Sequence, residues 1–186
     1  GHVLVLNEIN DPYIYDGIKA VQMPLFMMVS GYLCGRSGKI QDIRGYGRMV
    51  GRRALNYMMP FFAWTLVFHL DDFTWAFPAY LEQPERGLWF LVTLFVLTVM
   101  VYTAQLAGSL AGRLCQKEGL PKEIAAGGAF WVCYSLLTLL ILLQLRAGNP
   151  WLGPHLTRIY IPYYMAAYVF GSREKVICRY VKKRQR

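Results

Sequence analysis

Long apolar runs alternate with short charged connections along the whole chain. The runs cover residues 20–35 (AVQMPLFMMVSGYLCG), 54–70, 88–108, 124–145 and 156–171. Run 54–70 holds His69 as its only titratable group besides tyrosine, and run 156–171 holds one charge, Arg158. A helix rising about 1.5 Å per residue crosses a hydrocarbon core of about 30 Å with about 20 residues. Runs 88–108 and 124–145 reach that length alone. The other three need flanking residues or burial inside a bundle. In lipid, backbone polar groups must be satisfied internally, so such runs form helices or closed barrels. No period-two alternation supports a barrel. The pattern predicts an all-α fold: a polytopic transmembrane helical bundle of about five spans.

The connections then set orientation. Residues 36–53 carry Arg36, Lys39, Arg44, Arg48, Arg52 and Arg53 against Asp42. Residues 71–87 carry Asp71, Asp72, Glu82 and Glu85 against Arg86. Residues 109–123 mix Arg113, Lys117 and Lys122 with Glu118 and Glu123, residues 146–155 hold Arg146, and the tail from Arg173 is strongly basic. Basic connections face the cytoplasm. The first residues and the acidic connection then lie outside, and the tail lies inside. NEINDPYIYDG, residues 7–17, reads as an outer loop with Asp11-Pro12 as a breaker. GHVLVL before it reads as the last turn of a sixth helix cut off upstream, and the basic tail as a lead into further spans. The expected domain is therefore one integral-membrane unit over residues 1–186, partial at both ends.

Composition agrees with a membrane setting. The chain is 55% hydrophobic and 17% charged, yet its formal charge is +9. Basic loops between greasy spans suit contact with anionic lipid. Nucleic-acid binding is the rival reading of a basic chain, and the dispersal of the charges argues against it. Cys34, Cys115, Cys133 and Cys178 form no CxxC and no metal-type spacing, so no metal is expected.

Several features carry candidate chemistry. Pro24 and Pro60 lie inside apolar runs and suit kinks. Ser30-Gly31 permits close helix approach. The tyrosines of YIPYYMAAY, residues 160–168, read as an interfacial belt or as a cluster that stacks sugars. In GRSGKIQDIRGYGRMVGRR, the residues Ile40, Ile43, Tyr46, Met49 and Val50 share roughly one helical face, and Gly45, Gly47 and Gly51 weaken the helix. That stretch is either an interfacial segment on anionic lipid or an arginine-rich mouth that grips phosphates. His69 reads as interfacial and His155 as a solvated loop residue. His2, at the outer edge of a presumed helix, is a candidate base.

Taken in order, these motifs resemble the acyltransferase 3 family of multi-pass membrane O-acyltransferases, and most closely its fucose 4-O-acetylase-like branch. The resemblance rests on Gly1-His2, on Met23-Pro24-Leu25-Phe26 leading to Ser30-Gly31-Tyr32-Leu33, and on Arg52-Arg53 followed by Leu55 and Pro60-Phe61-Phe62. Leu88-Trp89-Phe90-Leu91 and the aromatic-proline stretch ending at Gly171 complete it. Two family features are not matched: the sequence does not include the region about three turns upstream of the histidine where the family usually has an arginine, and the nearest arrangement to the Arg-x-x-Arg pair is Arg48-x-x-x-Arg52-Arg53.

The resemblance implies transfer of an acyl group, usually acetyl from acetyl-CoA, to a carbohydrate hydroxyl of the cell envelope or of an exported polysaccharide. It implies a multi-pass inner (plasma) membrane protein with acyl-CoA as co-substrate and no bound cofactor. His2 is then the general base. Arg48, Arg52 and Arg53 are the donor-binding candidates, and Trp89, Tyr160 and Tyr164 the acceptor-binding ones. The partners are acyl-CoA, a carbohydrate and the bilayer. By the charge topology His2 lies near the outer face and the arginines inside, so the thioester arm reaches through the bundle. A transporter or flippase of lipid-linked sugar is the alternative, and a catalytically dead interaction subunit a third reading.

Overall fold

In a computed structural model the protein is described over residues 12–68, 89–117, 121–149 and 151–184. These residues form five helices, with no strand among them: α1 (Pro12–Arg36), α2 (Ile43–Phe68), α3 (Trp89–Lys117), α4 (Lys122–Arg146) and α5 (Pro154–Arg184). The all-α expectation holds. α3 and α4 are each long and apolar enough to cross a membrane. The stub GHVLVL and the acidic connection 71–87 lie outside the described residues.

Four helix boundaries differ from the apolar runs, one of them the end of α5, which runs on past residue 171 to Arg184. α1 starts at Pro12, inside the stretch expected to be a loop. Proline breaks a helix only from within. In the first turn its missing N–H has no intrahelical role and its fixed φ suits the helix. α2 starts at Ile43, so the glycine- and arginine-rich stretch is helical and not a separate loop. Asp42 caps it: its Oδ1 accepts the Gly45 N–H at 2.9 Å, which satisfies a donor the first turn leaves unpaired. α3 continues past the apolar run to Lys117, because Leu110, Ala111 and Leu114 keep the helix going around Arg113. His155, expected in a loop, is the second residue of α5 and is exposed, as expected.

The chain divides into two compact units, residues 38–159 and residues 1–37 with 160–186. In the first unit, α3 packs against both α2 and α4. Both pairings are antiparallel. Along α2, Tyr46, Arg53 and Phe61 meet Thr103, Tyr102 and the Leu91–Val92 turn of α3 in descending order. Along α4, Lys122 lies at Gly112 and Ala126 at Gly108. A Cβ added at Gly108 would lie 2.6 Å from the Ala126 carbonyl oxygen, so only glycine permits this approach. Antiparallel pairing brings the start of α2, the end of α3 and the start of α4 to one end. Lys39, Arg44, Arg48, Arg52, Arg53, Arg113 and Lys122 are therefore all in the half of the unit at that end.

α4 stops at a glycine-dependent cap. Gly148 has φ +67°, its N–H bonds the Leu145 carbonyl, and the Asn149 N–H bonds that of Gln144. This is the paired arrangement that closes a helix C-terminus through a left-handed residue.

In the second unit, α1 and α5 run parallel at a shared seam. A Cβ on Gly31 would lie 2.3 Å from the Tyr164 carbonyl oxygen, and one on Gly35, a turn further, 2.3 Å from that of Tyr168. Gly171 answers from α5, against the Tyr32 carbonyl. The Ser30-Gly31 expectation of close approach is met and extended by Gly35. Arg36 Nε and Glu174 Oε2 pair at 3.0 Å at the end of the seam.

Candidate functional site

α2 presents Tyr46, Arg53, Tyr57 and Phe61 along one stripe, at spacings of seven, four and four. At 3.6 residues per turn these positions share a face, and that face meets α3. The Tyr46 hydroxyl lies 3.1 Å from Thr103 Oγ1. Phe61 is buried with Leu91 and Val92. Between these contacts sits Arg53, a charge on the apolar side of the helix. Its Nε donates to the Tyr102 hydroxyl at 3.3 Å and its Nη1 to the Tyr57 hydroxyl at 3.2 Å. Its Cζ lies 5.8 Å from the Tyr57 ring centroid. Tyr102 is completely buried. A guanidinium off the water-facing side is tolerable where phenol oxygens and a ring face meet it.

Arg48 and Arg52 differ from Arg53. They lie one turn apart on the other side of α2 and are both exposed. The three donor-binding candidates thus separate into an exposed pair and one half-buried, oriented member.

α3 answers with its own stripe. Thr98, Tyr102, Gln105 and Ser109 recur at spacings of four, three and four inside an otherwise apolar run. Gln105 Oε1 accepts the Ile40 N–H at 3.1 Å, and Ser109 Oγ donates to the Ile40 carbonyl at 2.5 Å. The Ile40 side chain is buried. The short connection before α2 is thereby pinned to α3, with both backbone groups of a buried non-helical residue satisfied. The stripe escapes a charge-and-run reading. Its helical spacing is the signal that would have found it.

Of the acceptor-binding candidates, Trp89 is the first residue of α3 and half-buried. Tyr160 is half-buried on α5, with its ring 6.4 Å from that of Tyr163. Tyr164, a turn further, is 1% exposed and lies in the glycine seam. Trp89 belongs to one compact unit and the two tyrosines to the other. His2 and His69 lie outside the described residues.

Polar side chains gathered between helices, a basic end and an apolar helix bare to its surroundings define the class: a helical membrane protein. The family model described as an acyltransferase domain matches residues 1–184, and the chain belongs to the acyltransferase 3 family. Its members are membrane acyltransferases, so the enzyme class follows with the family. No curated protein and no solved structure matches the chain.

Proposed function

We propose that this acyltransferase moves an acetyl group from acetyl-CoA to a hydroxyl of a cell-envelope or exported carbohydrate, from a multi-pass position in the inner membrane. The observation that carries the donor is the arginine group at the start of α2, in a chain of this family. Guanidinium forks match phosphate oxygens in charge and spacing, and the donor carries several phosphates. In this reading Arg48 and Arg52 meet the donor from the exposed face of α2, and Arg53 from the face towards α3. Trp89 in one unit and Tyr160 in the other are each half-buried and keep surface on which a sugar can stack, whereas Tyr164 is enclosed in the seam.

His2 serves as the base. It takes the acceptor's hydroxyl proton as the oxygen attacks the thioester carbonyl. The C–O bond forms, the C–S bond breaks, and the proton passes to the departing thiolate. A His2→Ala variant should insert at normal levels and lose about 10²–10⁴-fold of acetyl transfer, the usual range for a general base. The measurement is incorporation of label from acetyl-CoA into envelope polysaccharide. Undiminished labelling overturns the assignment of His2. Sugar flux without covalent labelling in the unmodified protein would favour the transporter reading instead.

A further inference from the structure

We propose that the outer face of α2 is a binding site for one anionic phospholipid of the cytoplasmic leaflet, and that this lipid competes with the donor for Arg48 and Arg52. The competition rests on the donor reading of those two arginines, whereas the lipid site does not. Arg44, Arg48 and Arg52 recur at spacings of four, and Leu55, Met59 and Leu66 follow at three, four and seven. At 3.6 residues per turn these six share one face, opposite to the Tyr46, Arg53 and Phe61 face that meets α3. All six are exposed. Asp42, the one acidic residue between Arg36 and Phe68, is taken up by the Gly45 N–H at the helix start. Arg44, Arg48 and Arg52 have no ion pair among the described residues, so three like charges stand one turn apart and repel one another.

Shape and length point the same way as charge. Gly47 and Gly51 flank the arginines in the same turns, and a Cβ added at either would meet nothing within 4 Å. Glycines and like charges both weaken this stretch of helix, and a bound anion offsets the repulsion. The bare backbone beside the guanidiniums leaves room for a headgroup. The apolar part of the face, from Leu55 to Leu66, rises about 16 Å, close to half of a hydrocarbon core of about 30 Å. An acyl chain of one leaflet therefore lies along it while its phosphate reaches the arginine turns. Basic segments face the cytoplasm, where the leaflet carries anionic headgroups. A nucleotide alone would use the arginines and leave the apolar continuation unmatched. A phospholipid matches both halves of the face.

Native mass spectrometry of the protein in a neutral detergent, with phosphatidylglycerol and phosphatidylcholine added in equal amounts, reads the site directly. One phosphatidylglycerol should be retained in preference to phosphatidylcholine. Arg44→Gln and Arg48→Gln should each lower that preference about fivefold, the usual worth of one basic residue against anionic lipid. Gly51→Leu keeps every charge and fills the open space, and it should lower the preference as well. Arg113→Gln and Lys122→Gln remove exposed charges at the same end but off this face, and they should not. Equal losses from all four charge variants, or no preference in the unmodified protein, overturn the proposal. A preference that survives Gly51→Leu reports charge without a seated lipid and overturns it too. Competition is read in vesicles. Raising phosphatidylglycerol in phosphatidylcholine should raise KM for acetyl-CoA with kcat little changed, and Arg44→Gln should shrink that rise. A rise equal in both proteins is surface repulsion of the donor and overturns the competition. If phosphatidylglycerol is retained selectively and KM does not respond, the lipid site stands and the assignment of Arg48 and Arg52 to the donor falls.

Discussion

α3 and α4 are alike in hydropathy, similar in length and packed side by side, yet their surroundings are opposite. Across its most apolar window α3 is 61% buried and α4 is 6% buried. The buried helix encloses its polar groups: Thr93, Thr98, Tyr102 and Gln105 are all within its buried set, whereas Ser135 of α4 is exposed and Thr138 and Gln144 are only partly buried. The exposed helix presents Val132, Leu136, Leu139, Leu140 and Leu143. In water this distribution would be inverted, since burial of apolar surface is what drives folding there. In lipid it is expected. Hydrocarbon accepts leucine anywhere, and the interior is where hydrogen bonds between helices can be made. Hydropathy therefore identifies both helices as spans and says nothing of which is the centre. Polar residues recurring at helical spacing do.

The contrast can be broken most severely where the two helices touch. Gly108→Leu would drive a side chain into the Ala126 backbone, and loss of folded protein is expected, read as collapse of the monodisperse peak after detergent extraction. On the other side of the seam, Gly127 and Gly128 of α4 have nothing within 4 Å of an added Cβ. Gly127→Ala should leave that peak intact and gain up to about 1 kcal/mol from helix propensity.

A smaller effect tests the burial difference itself. Leu97→Ala on α3 removes a side chain that is 0% exposed and should cost about 2–5 kcal/mol in a reversible unfolding titration. Leu140→Ala on α4, 59% exposed, should cost far less in the same titration. Equal costs would mean that α4 is covered by protein as fully as α3. A further test concerns the polar stripe: Gln105→Leu strands the Ile40 N–H and should cost about 1–3 kcal/mol. Its sign separates a hydrogen-bonding role from mere space filling, because leucine supplies comparable volume.

The same two helices show what was legible in the sequence. Runs 88–108 and 124–145 locate α3 and α4 at all ends but one, because uninterrupted apolar length is a sufficient signal. The C-terminal end of α3 was missed because Arg113 ends the run without ending the helix. α2 was harder. Its first turns read as a glycine-weakened basic connection, and what makes them helical is the Asp42 cap and the grip of α3 on Tyr46 and Arg53. The donor candidates were legible as arginines on a basic segment. Their division into an exposed pair and an oriented single residue was not, because charge counting carries no information about which side of a helix a residue takes. The Tyr46, Arg53, Tyr57, Phe61 spacing does carry it.

The seam between α1 and α5 has a consequence in time. The chain emerges from its N-terminal side, so the Gly31–Gly35 face of α1 is made well before its partner around Tyr164 and Gly171. Until then the seam has no opposite wall. The helices between must be threaded before the two glycine surfaces meet, and the cost of closing that loop is borne late. Assembly of this unit is therefore gated by synthesis of α5. A ribosome stalled before Tyr164 would leave α1 without its mate.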